Sequence, residues 1–166
     1  MPTRVLIADH DEALLASYTA YLAGEGFGVA TARSGLECLE QLRHSLPDIL
    51  VLDLELPWGG GAGVLARMHD GSDVPPVPVL VLSAIHQPAA LAELVHFPMM
   101  TDFHIKPLGV DPLARIIRRL FDEGPIDIRA ARPRAGSTPV ASVGVAARGA
   151  DVFSPVVEAC DTGAER

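Results

Sequence analysis

The sequence predicts an α/β fold, a doubly wound parallel sheet with helices on both faces. Three observations lead there. Short runs of Val, Ile and Leu recur without a polar side, as strands covered on both faces require. Segments of helical period separate them. The order is strand then helix, five times over, which is the alternation of a doubly wound sheet.

The elements follow in order. Arg4–Ala8 (RVLIA) is the first apolar run, and the next helix carries Leu14, Leu15, Tyr18, Tyr21 and Leu22 on one face until Gly24 or Gly26 ends it. Phe27–Ala32 (FGVATA) is a weaker strand, expected at an edge. Ser34-Gly35-Leu36-Glu37 reads as a capping box opening a helix with Leu36, Leu39 and Leu42 on its buried side, stopped by Pro47. Asp48–Leu52 (DILVL) is the third strand, Ala62–Met68 a short helix, and Val77–Leu82 (VPVLVL) the fourth strand. A helix is expected over Pro88–Phe97 and a fifth strand over Phe103–Ile105 (FHI). Asp111 and Pro112 form an N-cap and N1 pair, leading into Leu113, Ile116, Ile117, Leu120 and Phe121.

Charge locates a boundary. The net charge is −8, from 21 Asp+Glu against 13 Lys+Arg, and residues 1–123 hold 16 acids and 8 bases, which accounts for all of it. Residues 124–166 hold five of each and are rich in Ala, Gly, Pro, Ser and Arg. That composition cannot bury enough surface to offset chain entropy, so 1–123 reads as a folded domain and 124–166 as a disordered tail. The competing reading is a segment around 152–160 that folds onto a partner. The acidity argues against nucleic-acid binding. No apolar run has the length of a membrane span, and the N-terminus lacks a signal peptide's apolar core, so a cytoplasmic protein is expected. Two cysteines, Cys38 and Cys160, make no disulfide framework or zinc cluster.

Ligands of open parallel sheets gather at the carboxyl ends of the strands. Here those ends carry Asp9-His10-Asp11, Asp53, Ser83 and Lys106-Pro107. Lys106 is the only lysine among 13 basic residues, a compact point charge in a chain that otherwise uses arginine.

These residues resemble the receiver domain of bacterial two-component response regulators, through "VLIADHDE", "PDILVLDLELP", Gly61, "VLVLSA" and "FHIKPL". The resemblance spans residues 4–121 and implies a flavodoxin-like, five-stranded sheet of order 2-1-3-4-5. It implies that Asp53 is the phosphoacceptor, Asp9 a member of the acidic pair, Ser83 the switch hydroxyl and Phe103 the switch aromatic. Lys106 is then the lysine before a cis proline, and Glu55 the position whose carbonyl helps to hold Mg²⁺. The implied partners are a sensor histidine kinase or phosphotransfer protein and a downstream protein, while composition, as above, argues against nucleic acid and membrane. The protein would accept a phosphoryl group, and could lose it by autodephosphorylation, without being an enzyme in the ordinary sense.

The residue types suit that chemistry. A carboxylate attacking phosphorus forms an acyl phosphate, and the transfer depends on positioning and charge neutralisation. Lys106, the Ser83 hydroxyl and Mg²⁺ would supply the neutralisation, while small Ala84 leaves an approach. One position departs from the family pattern: His10 stands where a second acid is expected. A neutral imidazole is a poor ligand for magnesium, which prefers oxygen, so weakened Mg²⁺ binding is expected. Asp11 is the nearest substitute, although its side chain should point elsewhere. The alternative is a pseudo-receiver, an interaction module without phosphoryl chemistry. A flavodoxin-like cofactor binder is disfavoured because the loop Asp9–Glu12 is acidic where a phosphate needs donors.

Other residues carry blander expectations. The six histidines show no close i, i+4 pair, so most should lie at the surface. Cys38 should be a half-buried apolar residue. Arg115, Arg118 and Arg119 should form a solvated helix face. Trp58 is either a cap on the loop after the third strand or an exposed recognition aromatic.

Overall fold

A computed structural model describes residues 1–71, 73–84 and 94–122, all within one compact unit. Five strands, β1 (Arg4–Ala8), β2 (Gly28–Ala32), β3 (Ile49–Leu52), β4 (Val79–Ser83) and β5 (Met100–Ile105), pair in parallel in the order β2-β1-β3-β4-β5. The described helices are α1 (Glu12–Gly24), α2 (Gly35–Ser45), α3 (Gly60–Asp70) and α4 (Val110–Asp122). The α/β architecture and the strand order expected from the sequence are both present. The helix expected over 88–97 falls largely outside the described residues, as does the whole of 124–166.

Strand alternation divides the core in two. Leu6, Leu50, Leu52, Val79 and Val81 face α2 and α3, packing with Cys38, Leu42, Val64, Leu65 and Met68. Val5, Ile7, Ile49, Val51, Leu80 and Leu82 face the other way, against Leu15, Tyr18 and Leu22 of α1 and Leu113, Ala114 and Ile117 of α4. The three central strands are therefore buried on both sides, which is why they read as continuous apolar runs. Each such side chain contributes about 1.5–3 kcal/mol by leaving water. β2 is an edge strand, as its weaker pattern suggested.

Several local expectations are corrected. Leu36 is 63% exposed, and the buried stripe of α2 is Gly35, Cys38 and Leu42. Cys38 is fully buried rather than half-buried, and that burial pushes its thiol up to about 12. α4 starts before Asp111: the Leu113 amide donates to the Gly109 carbonyl, and Asp111 instead accepts from the Tyr21 hydroxyl and pairs with Arg115. The arginines of α4 are not merely solvated. Arg118 pairs with Glu25 while lying over the Phe27 ring, and Arg119 reaches Asp102 at 3.0 Å. β5 begins three residues earlier than expected, and α3 extends from 60 to 70.

The joint between β3 and α3 is tight. A Cβ on Gly61 would lie 2.4 Å from the Asp53 carbonyl oxygen and 2.7 Å from the Leu54 Cα. Both obstacles are backbone, so neither can swing aside. Gly63, on the same helix, has nothing within 4 Å of its Cβ position. Gly61→Ala should therefore lose at least about 2 kcal/mol of stability by overpacking. Gly63→Ala should gain up to about 1 kcal/mol from helix propensity. Urea unfolding of the two variants checks this, and equal midpoints would contradict the close approach at Gly61.

Candidate functional site

Parallel strands end at one edge of the sheet, so the residues that follow them converge. Ala8 pairs with Leu52, which brings the next residues, Asp9 and Asp53, side by side at the point where the strand order reverses. The Asp53 amide donates to the Ala8 carbonyl at 2.9 Å, and the Asp9 amide to the Ala32 carbonyl at 3.0 Å. Ser83 closes β4, and its carbonyl accepts from the Lys106 amide at 3.0 Å, which sets the lysine at the end of β5. The Lys106–Pro107 peptide is cis.

Asp9 and Asp53 are 2% and 1% exposed. Carboxylates so deep require a counter-charge. The Lys106 ammonium provides it, 2.6 Å from Asp9 Oδ2 and 3.1 Å from Asp53 Oδ2. Burial alone would lower the lysine's pKa, but hydrogen bonds to both carboxylates and their charges outweigh it, and the pKa rises above 10.5. The remaining oxygens are held by backbone amides: Asp11 donates to Asp9 Oδ1 at 2.9 Å, and Glu55 to Asp53 Oδ1 at 3.2 Å.

His10 stands at the mouth, its side chain half exposed, with Nδ1 3.0 Å from Asp53 Oδ2 and 3.8 Å from Asp9 Oδ1. An ionised carboxylate only accepts, so Nδ1 carries the proton of that hydrogen bond. Asp11 is committed elsewhere. Its side chain caps α1, accepting from the amides of Ala13 at 2.9 Å and Leu14 at 3.1 Å. It is therefore no substitute for the missing acid.

The expected residues thus fall into two groups. Asp9, His10, Asp53 and Lys106 meet directly. Ser83 is fully buried at the end of β4, next to β3 in the sheet, whereas Glu55 is exposed and touches Asp53 through its amide. Phe103 is half-buried on β5 against the core beneath α2 and α3. Trp58 is 76% exposed with φ 54°, and the Gly35 amide donates to the Pro57 carbonyl, fixing this loop to α2. Of the two readings of Trp58, the exposed one fits. The sequence reading missed Tyr18 as a tether: its hydroxyl donates to the Leu108 carbonyl at 2.7 Å, holding the chain just past Lys106–Pro107. A tyrosine inside an apolar stripe, whose hydroxyl must find a partner, was the available signal.

The chain matches the model of the response regulator receiver domain over residues 5–118. The chain belongs to the response-regulator receiver family. It is 32% identical over 118 residues to the response regulator RR06 of Streptococcus pneumoniae, covering 70% of this chain and 52% of that one. With the response regulator MprA of Mycobacterium sp. (strain KMS) it shares 30% over 131 residues, 75% of this chain and 55% of the relative. The chain thus spans about half the length of these curated relatives. A CheY-like receiver domain protein from Methanospirillum hungatei superposes with a TM-score of 0.68 at 23% identity, over 74% of this chain and 96% of that one. A Francisella receiver domain gives 0.65 at 23%, over 73% and 98%. These last two likenesses concern the fold. Receiver domains are the phosphoacceptors of two-component systems and typically bind Mg²⁺. Among the described residues, the group of side chains that could hold a metal is Asp9, His10 and Asp53, whose ligand atoms lie within 4.8 Å of one another. One of these donors is nitrogen, where a magnesium site calls for oxygen. No described helix is long and apolar enough to cross a membrane.

The buried groups of this receiver predict its alkaline behaviour. Burial, then the charge of Asp9, pushes Tyr18 from 10.0 up to about 12, and burial pushes Cys38 from 9.0 to about 12. Each raised pKa means that the unfolded chain releases its proton first. The Cys38 contribution is whole below pH 9.0 and lost towards 12, that of Tyr18 is whole below 10.0, and that of Lys106 below 10.5. Urea midpoints should hold level to about pH 9 and fall steadily above it. In Cys38→Ala the onset should move to about pH 10, whatever the variant's absolute stability. A profile whose onset ignores Cys38 would refute this assignment.

Proposed function

We propose that this receiver accepts a phosphoryl group on Asp53 from a sensor histidine kinase or phosphotransfer protein and signals through protein contacts. The observation that carries the reading is the buried Asp53 carboxylate at the end of β3, 3.1 Å from the Lys106 ammonium. An Asp53 oxygen attacks phosphorus, the Oδ–P bond forms, the P–N bond of the donor's phosphohistidine breaks, and the donor imidazole recovers the electron pair and a proton. Lys106 offsets the charge developing on the transferred oxygens, and the Ser83 hydroxyl donates a hydrogen bond to one of them. Gly61 allows the loop after β3 to stay close without blocking approach. Modification at Asp53 draws Ser83 toward the new oxygens, and Phe103 turns as that hydroxyl moves, altering the β4–β5 surface.

Incubation of the full chain with acetyl phosphate, followed by intact-mass measurement, should show one phosphoryl increment that Asp53→Asn abolishes. Persistent labelling of the Asn variant, or a modified peptide elsewhere, would falsify the assignment. An unlabelled wild type at saturating magnesium would favour a pseudo-receiver.

His10 makes the pocket a poor host for Mg²⁺. It replaces an anionic oxygen donor with a neutral nitrogen donor, and one charge removed at contact distance amounts to a few kcal/mol at an effective dielectric of ~20. Ion desolvation offsets much of that. His10→Asp should therefore tighten Mg²⁺ binding by roughly tenfold to a hundredfold, measured by calorimetric titration of both proteins. Coincident isotherms would show that another group already supplies the missing ligand.

A further inference from the structure

The mismatch between this pocket and magnesium has a direction. Ion pairs that only join surface elements, such as Arg43–Asp73–Arg67 and Glu12–Arg33, offer no ligand chemistry beyond their own geometry. In the cleft beside Arg118 the one cationic lining group is already committed to Glu25 and the Phe27 ring. The Asp9–His10–Asp53 group is different, because its donors are two carboxylates and an imidazole converging from two strands.

From that donor set we infer that the pocket is selective for imidazole-preferring divalent ions of the zinc and cobalt class over magnesium. The inference deepens the reading of the same pocket, and its test uses no phosphodonor. Two features support it. The first is spacing. Metal–ligand bonds of about 2.0–2.1 Å place neighbouring ligands roughly 3.0–3.4 Å apart. His10 Nδ1 lies 3.0 Å from Asp53 Oδ2 and 3.8 Å from Asp9 Oδ1, which brackets that span, so small side-chain rotations seat an ion. The proton on Nδ1 would pass through solvent to Nε2, leaving the imidazole neutral and Nδ1 free to ligate. His10 is half exposed, which leaves it free to make that change.

The second feature is charge. The facing groups are Asp9, Asp53, Lys106 and a neutral imidazole, for a pocket charge of −1, where an acid at position 10 would make it −2. Lys106 occupies Asp9 Oδ2, so Asp9 Oδ1 is the oxygen turned toward His10. A strongly hydrated hard cation depends on anionic oxygens for its binding, and loses most from that change. An ion that bonds well to imidazole recovers the loss through nitrogen. Two carboxylates, an imidazole and an outward position also form the three-ligand, one-open arrangement common around zinc.

Softer divalent ions outrank magnesium at almost any site, so the decisive quantity is how the ratio changes when His10 is replaced. Calorimetric titration of the full chain with ZnCl₂ and with MgCl₂ should give a zinc-to-magnesium affinity ratio that falls at least tenfold in His10→Asp. His10→Gln, which removes the nitrogen ligand without adding charge, should weaken zinc at least tenfold. With CoCl₂, the visible absorption of nitrogen-ligated cobalt should appear in the wild type and vanish in His10→Gln and in Asp53→Asn. An unchanged ratio in His10→Asp, or a cobalt spectrum that survives His10→Gln, would overturn the inference by placing the ion elsewhere. Either result leaves the acetyl phosphate labelling of Asp53 to stand or fall by itself.

Discussion

Two carboxylates buried side by side are intolerable without a cation, and that constraint organises this receiver. Asp9 and Asp53 follow adjacent parallel strands and are almost wholly inaccessible to water. Their repulsion, and the cost of stripping water from each, would push the end of the sheet apart or force a proton on. Lys106 prevents both. It arrives from β5, across the full width of β4, because a lysine stem is long enough to cross a neighbouring strand with its head still in the pocket. The neighbouring features hold that head in place. The Ser83 carbonyl fixes the lysine's backbone, and the Tyr18 hydroxyl ties down the turn just beyond it. The sheet, through Ser83, and the core beneath α1 and α4, through Tyr18, thus position one ammonium group.

Close backbone packing at Gly61 and Gly35 is the second requirement of the site. Gly61 sits against the Asp53 carbonyl, and a Cβ on Gly35 would come 2.7 Å from the Trp58 carbonyl oxygen. The loop between β3 and α3 is pressed between these two points. Its left-handed residues, Trp58 and glycines 59 and 60, follow from that squeeze, and Trp58 is left largely exposed to solvent.

The same packing explains which parts of the structure were legible in the sequence. Apolar runs such as DILVL announce a strand because burial on both faces leaves no room for polarity, and nothing in the tertiary structure can undo that. Helix orientation is a weaker signal. Leu36, Leu39 and Leu42 look like the buried side of α2. Yet Gly35 must meet the loop at Pro57–Gly59, which turns the stripe to Gly35, Cys38 and Leu42 and sends Leu36 outward. The capping residues of α4 misled for a related reason: Asp111 has Tyr21 and Arg115 within reach, partners contributed by the folded arrangement. The site's members were legible because parallel strands deliver whatever follows them to one edge. The role of Asp11 was not, since only the geometry of the turn decides whether that carboxylate enters the pocket or caps α1. It caps α1.

His10 shows how much can change inside a fixed frame. Among the described residues no buried side-chain nitrogen or oxygen lacks a hydrogen-bond partner, and the pocket is included in that statement. Asp53 Oδ2 accepts from both His10 and Lys106, while amides serve Asp53 Oδ1 and Asp9 Oδ1. An acid at position 10 could not donate a hydrogen bond in its ionised form. It would add a third negative group around one ammonium, raising the pocket's excess of negative charge. The imidazole avoids that excess. Its N–H satisfies the carboxylate directly, so any ion must displace a hydrogen bond already made as well as shed its own water. Magnesium, which releases water reluctantly and gains no nitrogen bond in return, is penalised on both counts. A single residue at the end of β1 thus sets what an incoming cation has to displace, within a frame made by the sheet, the lysine and the buried acid pair.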